Sequence, residues 1–352
     1  MTVRVSALTD ADGAEYDAFH ASIPSAQLFT SGRYRRFLRG VLSGARECYL
    51  VARRDGEIAG ALPLFECVAE GIGRVVNSLP FFGSNGGLVL APGAAADDRV
   101  ARALLDAFAD FSRTASAATL ISNPLAGLDS LYARALPVRF RTGRIGLFTD
   151  LPPDGPDLDD RLMSCFEPVR RRAVRKGLKS GCTFEHTDDV GALDALARIH
   201  RENMEAIGVV HKPPAVFDAI RAVFPYDADH RVYVARHDGR IVAGLLVVYC
   251  NGTAEYFTPA TEEAFRSHQP MSALVFHAMR DAVRSGHGRW NWGGTQQSQT
   301  GVYDFKKRWG THDLPYYYYT TVSDDALLSR TQRELVAGFP GFFVVPFSEL
   351  RP

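Results

Sequence analysis

Residues 305–310 read Phe305-Lys306-Lys307-Arg308-Trp309-Gly310, a lysine between an aromatic ring and two further cations, shortly after the glycine pair Gly293-Gly294. The chemistry open to a lysine held in place is electrostatic: it can stabilise an oxyanion as the charge develops, or hold a phosphate. A lysine exposed on a solvated strand would do neither. Lys212, between His211 and Pro213, is a second cation of this kind. Proline fixes the local backbone and so holds the lysine, which offers a point charge in place of a bidentate fork. Arg170, Arg171, Arg172, Arg175, Lys176 and Lys179 fall within ten residues that contain no acid. On a helix, Arg171, Arg172, Arg175, Lys176 and Lys179 share one face. Like charges so close repel unless an anion binds, and a nucleic-acid phosphate backbone is a matching partner. No general base stands out; His211, Asp304 and Glu255 are the candidates within reach. Gln296, Gln297 and Gln299 form a polar loop with Ser298 and Thr300, suited to lining a site or simply to the surface.

The elements that must position these groups repeat. Val51-Ala52-Arg53-Arg54-Asp55-Gly56 recurs as Val234-Ala235-Arg236-His237-Asp238-Gly239, 234 − 51 = 183 residues later. Each copy is an apolar run, Asp-Gly, and a second apolar run, which predicts a β-hairpin with a type I′ turn. A recurrence at half the chain length predicts two related domains, as does a length of 352 residues. The stretch 151–156, with three prolines and a glycine, reads as the linker. Helical periodicity appears at 14–21, 31–42 and 97–114 in the first half, and at 192–207, 215–224 and 272–285 in the second. Strands are expected at 88–90, 119–122, 253–258, 289–292 and 316–321, with a turn-rich loop at 78–87. Tyr316–319 alternates across its strand and reads as sheet packing. The apolar run 342–347 is too short to span a bilayer and is expected to pack on the first domain.

Net charge is zero, with 40 basic and 40 acidic residues, so any polyanion site must be a local patch. The five cysteines show neither a CxxC pair nor metal-ligand spacing, and reduced thiols are expected. The N-terminus lacks a signal-peptide pattern, no apolar run reaches membrane-span length, and the expected location is the cytoplasm.

The order helix, helix, antiparallel strands, long helix, strand resembles a GNAT-type acyltransferase. Enzymes of that type hold the CoA pyrophosphate on backbone amides where the helix after the fourth strand begins, on a glycine-rich Arg/Gln-x-x-Gly-x-Gly/Ala segment. Here that position reads Phe265-Arg266-Ser267-His268-Gln269-Pro270-Met271-Ser272, without the glycines and with a proline that removes an amide donor.

More specifically, the sequence resembles the Fem family of aminoacyl-tRNA-dependent peptidyltransferases. The matching pieces are Gly208-Val209-Val210-His211-Lys212-Pro213 with Phe217, Asn291-Trp292-Gly293-Gly294 followed by Phe305-Lys306, the basic run 170–179, and Gln27 with Tyr34-Arg35-Arg36. There is no room for the long helical arm of some members, and Val216 stands near a place where compact members carry a tyrosine.

The resemblance implies an α/β (α+β) fold of two tandem GNAT-like domains, 1–150 and 151–322, with mixed, mostly antiparallel sheets flanked by helices, and 323–352 packing on the first. It implies amide formation by transfer of an aminoacyl group from aminoacyl-tRNA to a small-molecule or peptide amine, in a monomer, with no cofactor and no metal. It places Lys306 at the acyl donor, and Arg36, Lys212, Tyr256 and Phe305 on substrate. Arg36 and Lys212 would grip acceptor phosphates in a cleft between the domains. Arg171, Arg172, Arg175, Lys176, Lys179 and Lys307 would contact tRNA. Two other readings stay open: an acyl-CoA-dependent N-acyltransferase, and a tandem GNAT module that binds without catalysis. One active site is expected, because only the second half carries His211-Lys212-Pro213 and Phe305-Lys306.

Overall fold

The computed structural model describes residues 3–81, 83–95, 98–296 and 299–351. Asp97, Phe82, Gln297 and Ser298 therefore lie outside the described residues. The chain begins with β1 (Val3–Ala7), α1 (Gly13–Ala21), α2 (Gly32–Val41), β2 (Ala45–Glu47), β3 (Leu50–Arg54), β4 (Glu57–Leu62), β5 (Phe65–Ala69), β6 (Gly73–Ser78) and β7 (Val89–Leu90). Next come α3 (Pro92–Ala95), α4 (Asp98–Ser112), β8 (Ala117–Ile121), α5 (Asp129–Ala135) and β9 (Phe140–Asp150). Then follow α6 (Leu158–Cys165), α7 (Pro168–Leu178), β10 (Thr183–Thr187), α8 (Val190–Glu205), α9 (Pro214–Val223), β11 (His230–His237), β12 (Arg240–Cys250) and β13 (Thr253–Thr261). The chain closes with α10 (Pro270–Arg284), β14 (Arg289–Thr295), α11 (Thr300–Lys307), β15 (His312–Val322) and α12 (Gln332–Gly338).

Two compact units result, one of residues 1–144 with 315–352 and one of 145–314. The division falls inside β9 and β15, and the proline-rich stretch 151–156 belongs to the second unit. In the first unit β1-β3-β4-β7 form one sheet, and β15-β8-β6-β5-β2 follow one another in a second. Its cores gather Leu62, Val76, Leu104, Phe108 and Leu120, and separately Cys67, Val75, Ala117, Leu335, Val344 and Val345, so part of the apolar run near the C-terminus is buried here. Tyr317 and Tyr319 take one side of β15, under Arg141, and Tyr316 and Tyr318 the other.

In the second unit the strands run β10-β11-β12-β13-β14-β9. All pairs are antiparallel except β13 with β14. Leu274, Val275, Ala278, Met279, Ala282 and Val283 form the stripe expected of α10, and all are buried against Leu245, Val247 and Ala254 of the sheet. Burying each of the larger ones contributes about 1.5–3 kcal/mol. All five cysteines are free.

The two hairpins match in detail. Asp55 and Gly56 have φ of 55° and 94°, and Asp238 and Gly239 have 50° and 78°, the positive values a type I′ turn requires. Each hairpin also carries a register shift at the same place, between Ala52 and Arg53 and between Ala235 and Arg236.

Candidate active site

β13 and β14 pair over only three rungs, ending at Glu255↔Asn291. Beyond that rung β13 continues to Thr261 and β14 to Thr295 without pairing, so the strands part. Both are bent there. β13 carries an extra residue, Phe257, between its pairings with Leu246 and Val247. β14 breaks register with β9 between Asn291 and Gly294. Bulges of this sort re-aim side chains and carbonyls. The Asn291 side-chain oxygen accepts from Gly293 N at 2.8 Å and closes the second one, where Gly293 has φ of 73°.

That bulge anchors Lys306. Its Nζ donates to Gly294 O at 3.3 Å and to Thr295 Oγ1 at 3.1 Å. The residue is only 9% exposed and has no ion pair with an acid among the described residues. Burial without a counter-charge lowers its pKa to about 8. Lys306 stands in the last turn of a short helix. The next residue, Lys307, pairs with Asp313 at 2.8 Å, and Tyr303 donates to the same carboxylate at 2.6 Å, which pins α11. Asp304 is exposed. Of the polar loop, Gln296 and Gln299 are exposed at the entrance to α11.

Aromatic rings fill the space beside Lys306. Tyr256 packs on Trp292 with ring centroids 4.9 Å apart, and Trp292 on Trp309 at 5.3 Å. Phe305 lies edge-on to both tryptophans. Tyr256 and Phe305, expected on substrate, are thus half-buried members of this cluster. Burial raises the Tyr256 phenol well above its ordinary pKa, and the nearby Arg170 opposes that rise.

Helix α7 carries the basic run. Pro168 in its first turn and the N-cap residue Glu167, whose backbone N donates to Arg308 O at 3.0 Å, fix its start. Its inner side is Arg170, Val174 and Gly177, all buried. Gly177 lies against the start of α10 so closely that a Cβ there would stand 2.4 Å from Gln269 O and 3.0 Å from Ala273 Cβ. The outer side displays Arg172, Arg175, Lys176 and Lys179 exposed and Arg171 half-buried, none ion-paired among the described residues. The face expected from the spacing is present.

Lys212 is held on β13, its Nζ donating to Phe257 O at 3.2 Å and to Thr258 Oγ1 at 3.1 Å. Its pKa is lowered to about 8 by burial. Its backbone N donates to His200 Nε2 at 3.2 Å, so the proton of neutral His200 is on Nδ1. Burial, with Lys212 and His211 adding to it, lowers the His200 pKa to about 4. A small cleft of about 160 Å³ beside Lys212 is lined by Asp194, Arg198, Arg201 and His211. Arg36 is exposed on α2 of the first unit, while its neighbour Arg35 is buried and paired with Glu47 at 2.7 Å and Asp10 at 3.0 Å. Glu255, 3% exposed, has its pKa raised to about 8 by burial, against the pull of Asn291 and Arg289.

Nothing in the spacing marks His200, or shows that the three tryptophans meet. Arg170 was separable in principle: it falls off the face shared by Arg171, Arg175 and Lys179.

Residues 169–307 match the family described as Acetyltransferase (GNAT) domain. Among solved structures, FemX is similar over 92% of this chain and 98% of its own, with a TM-score of 0.71 and 18% identity. The C-terminal domain of a putative lysylphosphatidylglycerol synthetase from Agrobacterium fabrum is similar over 95% and 98%, with a TM-score of 0.55 and 15% identity. A tandem GNAT protein from the clavulanic acid biosynthesis pathway is similar over 91% and 98%, with a TM-score of 0.52 and 13% identity. No curated protein matches the chain by sequence. The match places a GNAT domain at residues 169–307, and the fold is of the GNAT type. Within that class the fold is the Fem-like tandem GNAT fold that the motifs implied. Among the described residues no helix is long and apolar enough to cross a membrane.

Proposed function

We propose that the second unit transfers an aminoacyl group from aminoacyl-tRNA to an amine on a small molecule or peptide, such as a cell-wall precursor or a polysaccharide or natural-product intermediate, without a cofactor. The observation that carries this reading is the two-sided character of α7. Its inner side packs at Gly177 on the start of α10, the place where GNAT enzymes hold CoA pyrophosphate. Its outer side presents five unpaired cations suited to a phosphate backbone.

In this reading the acceptor amine attacks the ester carbonyl, and the oxygen takes negative charge. Lys306, about nine-tenths protonated at pH 7 given its pKa of about 8, stabilises that oxyanion. The carbon–oxygen bond to the terminal ribose then breaks, the ribose oxygen takes up a proton, and the former amine gives one up as the amide forms. The remaining barrier is lowered by holding amine and ester together. Lys212 serves the acceptor, and Arg171, Arg172, Arg175, Lys176, Lys179 and Lys307 the donor.

The test offers candidate amines together with charged tRNA or acyl-CoA, with and without ribonuclease. Amide product that vanishes with ribonuclease supports the proposal. Product that survives ribonuclease and depends on CoA overturns it in favour of an acyl-CoA enzyme, the reading that the GNAT match at 169–307 favours. No product with any donor favours a binding module.

A further inference from the structure

We propose that the Nε–Nη2 edge of Arg170 is a subsite for an oxyanion, binding a phosphate or carboxylate of a substrate bidentately. Arg170 is 8% exposed. Its Nη1 donates to Ser272 Oγ at 3.3 Å, which occupies one end of the guanidinium. Both ring contacts are close: the guanidinium carbon stands 4.5 Å from the centre of Phe305 and 5.2 Å from that of Trp309. Among the described residues the opposite edge has no acceptor. Nε is buried without a hydrogen-bond partner, and no acid is ion-paired with the side chain among the described residues. The indole N–H of Trp309, in the ring stacked on it, is a second buried donor without a partner.

An arginine that only packed against rings would keep its N–H groups in water or on a carboxylate, because an unpaired buried donor costs stability, and a buried charge more so. The Nε–Nη2 edge is the side of a guanidinium whose two parallel N–H groups match a carboxylate or phosphate. Ser272 is in the first turn of the 15-residue helix α10, whose N-terminal end adds positive potential at the same place. The charged groups that act on Arg170 are Arg308, which adds positive charge, and Glu167. The subsite lies on the inner side of the helix whose outer side is basic, one residue from Lys306 through Phe305. The inference rests on the geometry of Arg170 and does not require Lys306 to be catalytic.

Two sources fit the shared chemistry, a phosphate of either substrate or a carboxylate of the acceptor. Calorimetric titration of the full chain in 150 mM salt with inorganic phosphate, adenosine 5′-monophosphate and acetate distinguishes them. The expected result is saturable binding of at least one probe by the wild type. Arg170→Lys, which keeps charge but not the fork, should weaken it at least tenfold, and Arg170→Gln should abolish it. Binding of the phosphate probes assigns a substrate phosphate, and binding of acetate alone assigns a carboxylate of the acceptor. Should Arg170→Gln fail to fold, Arg170→Lys decides alone. No binding of any probe by the wild type, or equal binding by Arg170→Lys, overturns the inference, the latter because the outer cations of α7 would then account for it. Turnover is not measured, so a failed catalytic assignment for Lys306 leaves the test intact.

Discussion

Lys306→Met separates the stability of this protein from its activity. In the folded chain the ammonium is buried on a carbonyl and a hydroxyl, and its pKa falls from 10.5 to about 8. That shift corresponds to about 3 kcal/mol by which the fold disfavours the charged lysine. Methionine removes the burden and fills a similar volume, but forfeits two hydrogen bonds of about 1 kcal/mol each. Unfolding in urea at pH 7 should therefore show Lys306→Met between equal and about 2 kcal/mol more stable than the wild type.

The sign of the pH dependence follows from the same shift. The folded value lies below the unfolded one, so the penalty on the wild type is full below pH 8 and fades as pH rises from 8 towards 10.5. The wild type should gain roughly 2 kcal/mol on the variant between pH 7 and pH 10. Turnover should fall about 100–1000-fold, the effect of removing an oxyanion stabiliser. A variant that turns over within threefold of the wild type refutes the catalytic argument. A variant several kcal/mol less stable refutes the electrostatic one.

Further outcomes follow from other parts of the second unit. Glu255→Gln should stabilise the fold by about 3 kcal/mol at pH 7, because the folded pKa of about 8 lies above the unfolded 4.5 and wild-type stability is lost as pH rises between them; equal urea midpoints for the two proteins at pH 4 and pH 7 would contradict this. Gly177→Ala should lose about 1–2 kcal/mol net, the strain of a Cβ 2.4 Å from Gln269 O outweighing the gain in helix propensity; a thermal melt no lower than that of the wild type shows that α7 can shift freely. Reversing Arg172, Arg175 and Lys176 to glutamate should leave stability within about 0.5 kcal/mol, since the side chains are exposed. It should also flatten the salt dependence of tRNA binding by at least 2 in logarithmic slope, because three phosphate contacts are lost; an unchanged slope moves the donor elsewhere.

Much of this fold was legible in the chain because it is encoded locally. An Asp-Gly pair between apolar runs specifies its turn through the backbone freedom of glycine, and both copies form it with the same bulge. The apolar stripe of α10 and the shared face of Arg171, Arg172, Arg175, Lys176 and Lys179 follow from helical periodicity alone. What periodicity does not specify is the partner of each side chain across the core. Lys306 and Lys307 are adjacent and alike in sequence, yet one is buried on Gly294 and Thr295 and the other is neutralised by Asp313. Arg170 is buried because Ser272, 102 residues away, and the rings of Phe305 and Trp309 meet it. The Glu255 pKa is raised only because the fold buries the carboxyl, against the pull of Asn291 and Arg289. Residue types and spacing alone determined which cations were available and which elements carry them. Burial among distant neighbours, which sets the local dielectric and the hydrogen-bond partners, decided which of those cations carry an unbalanced charge.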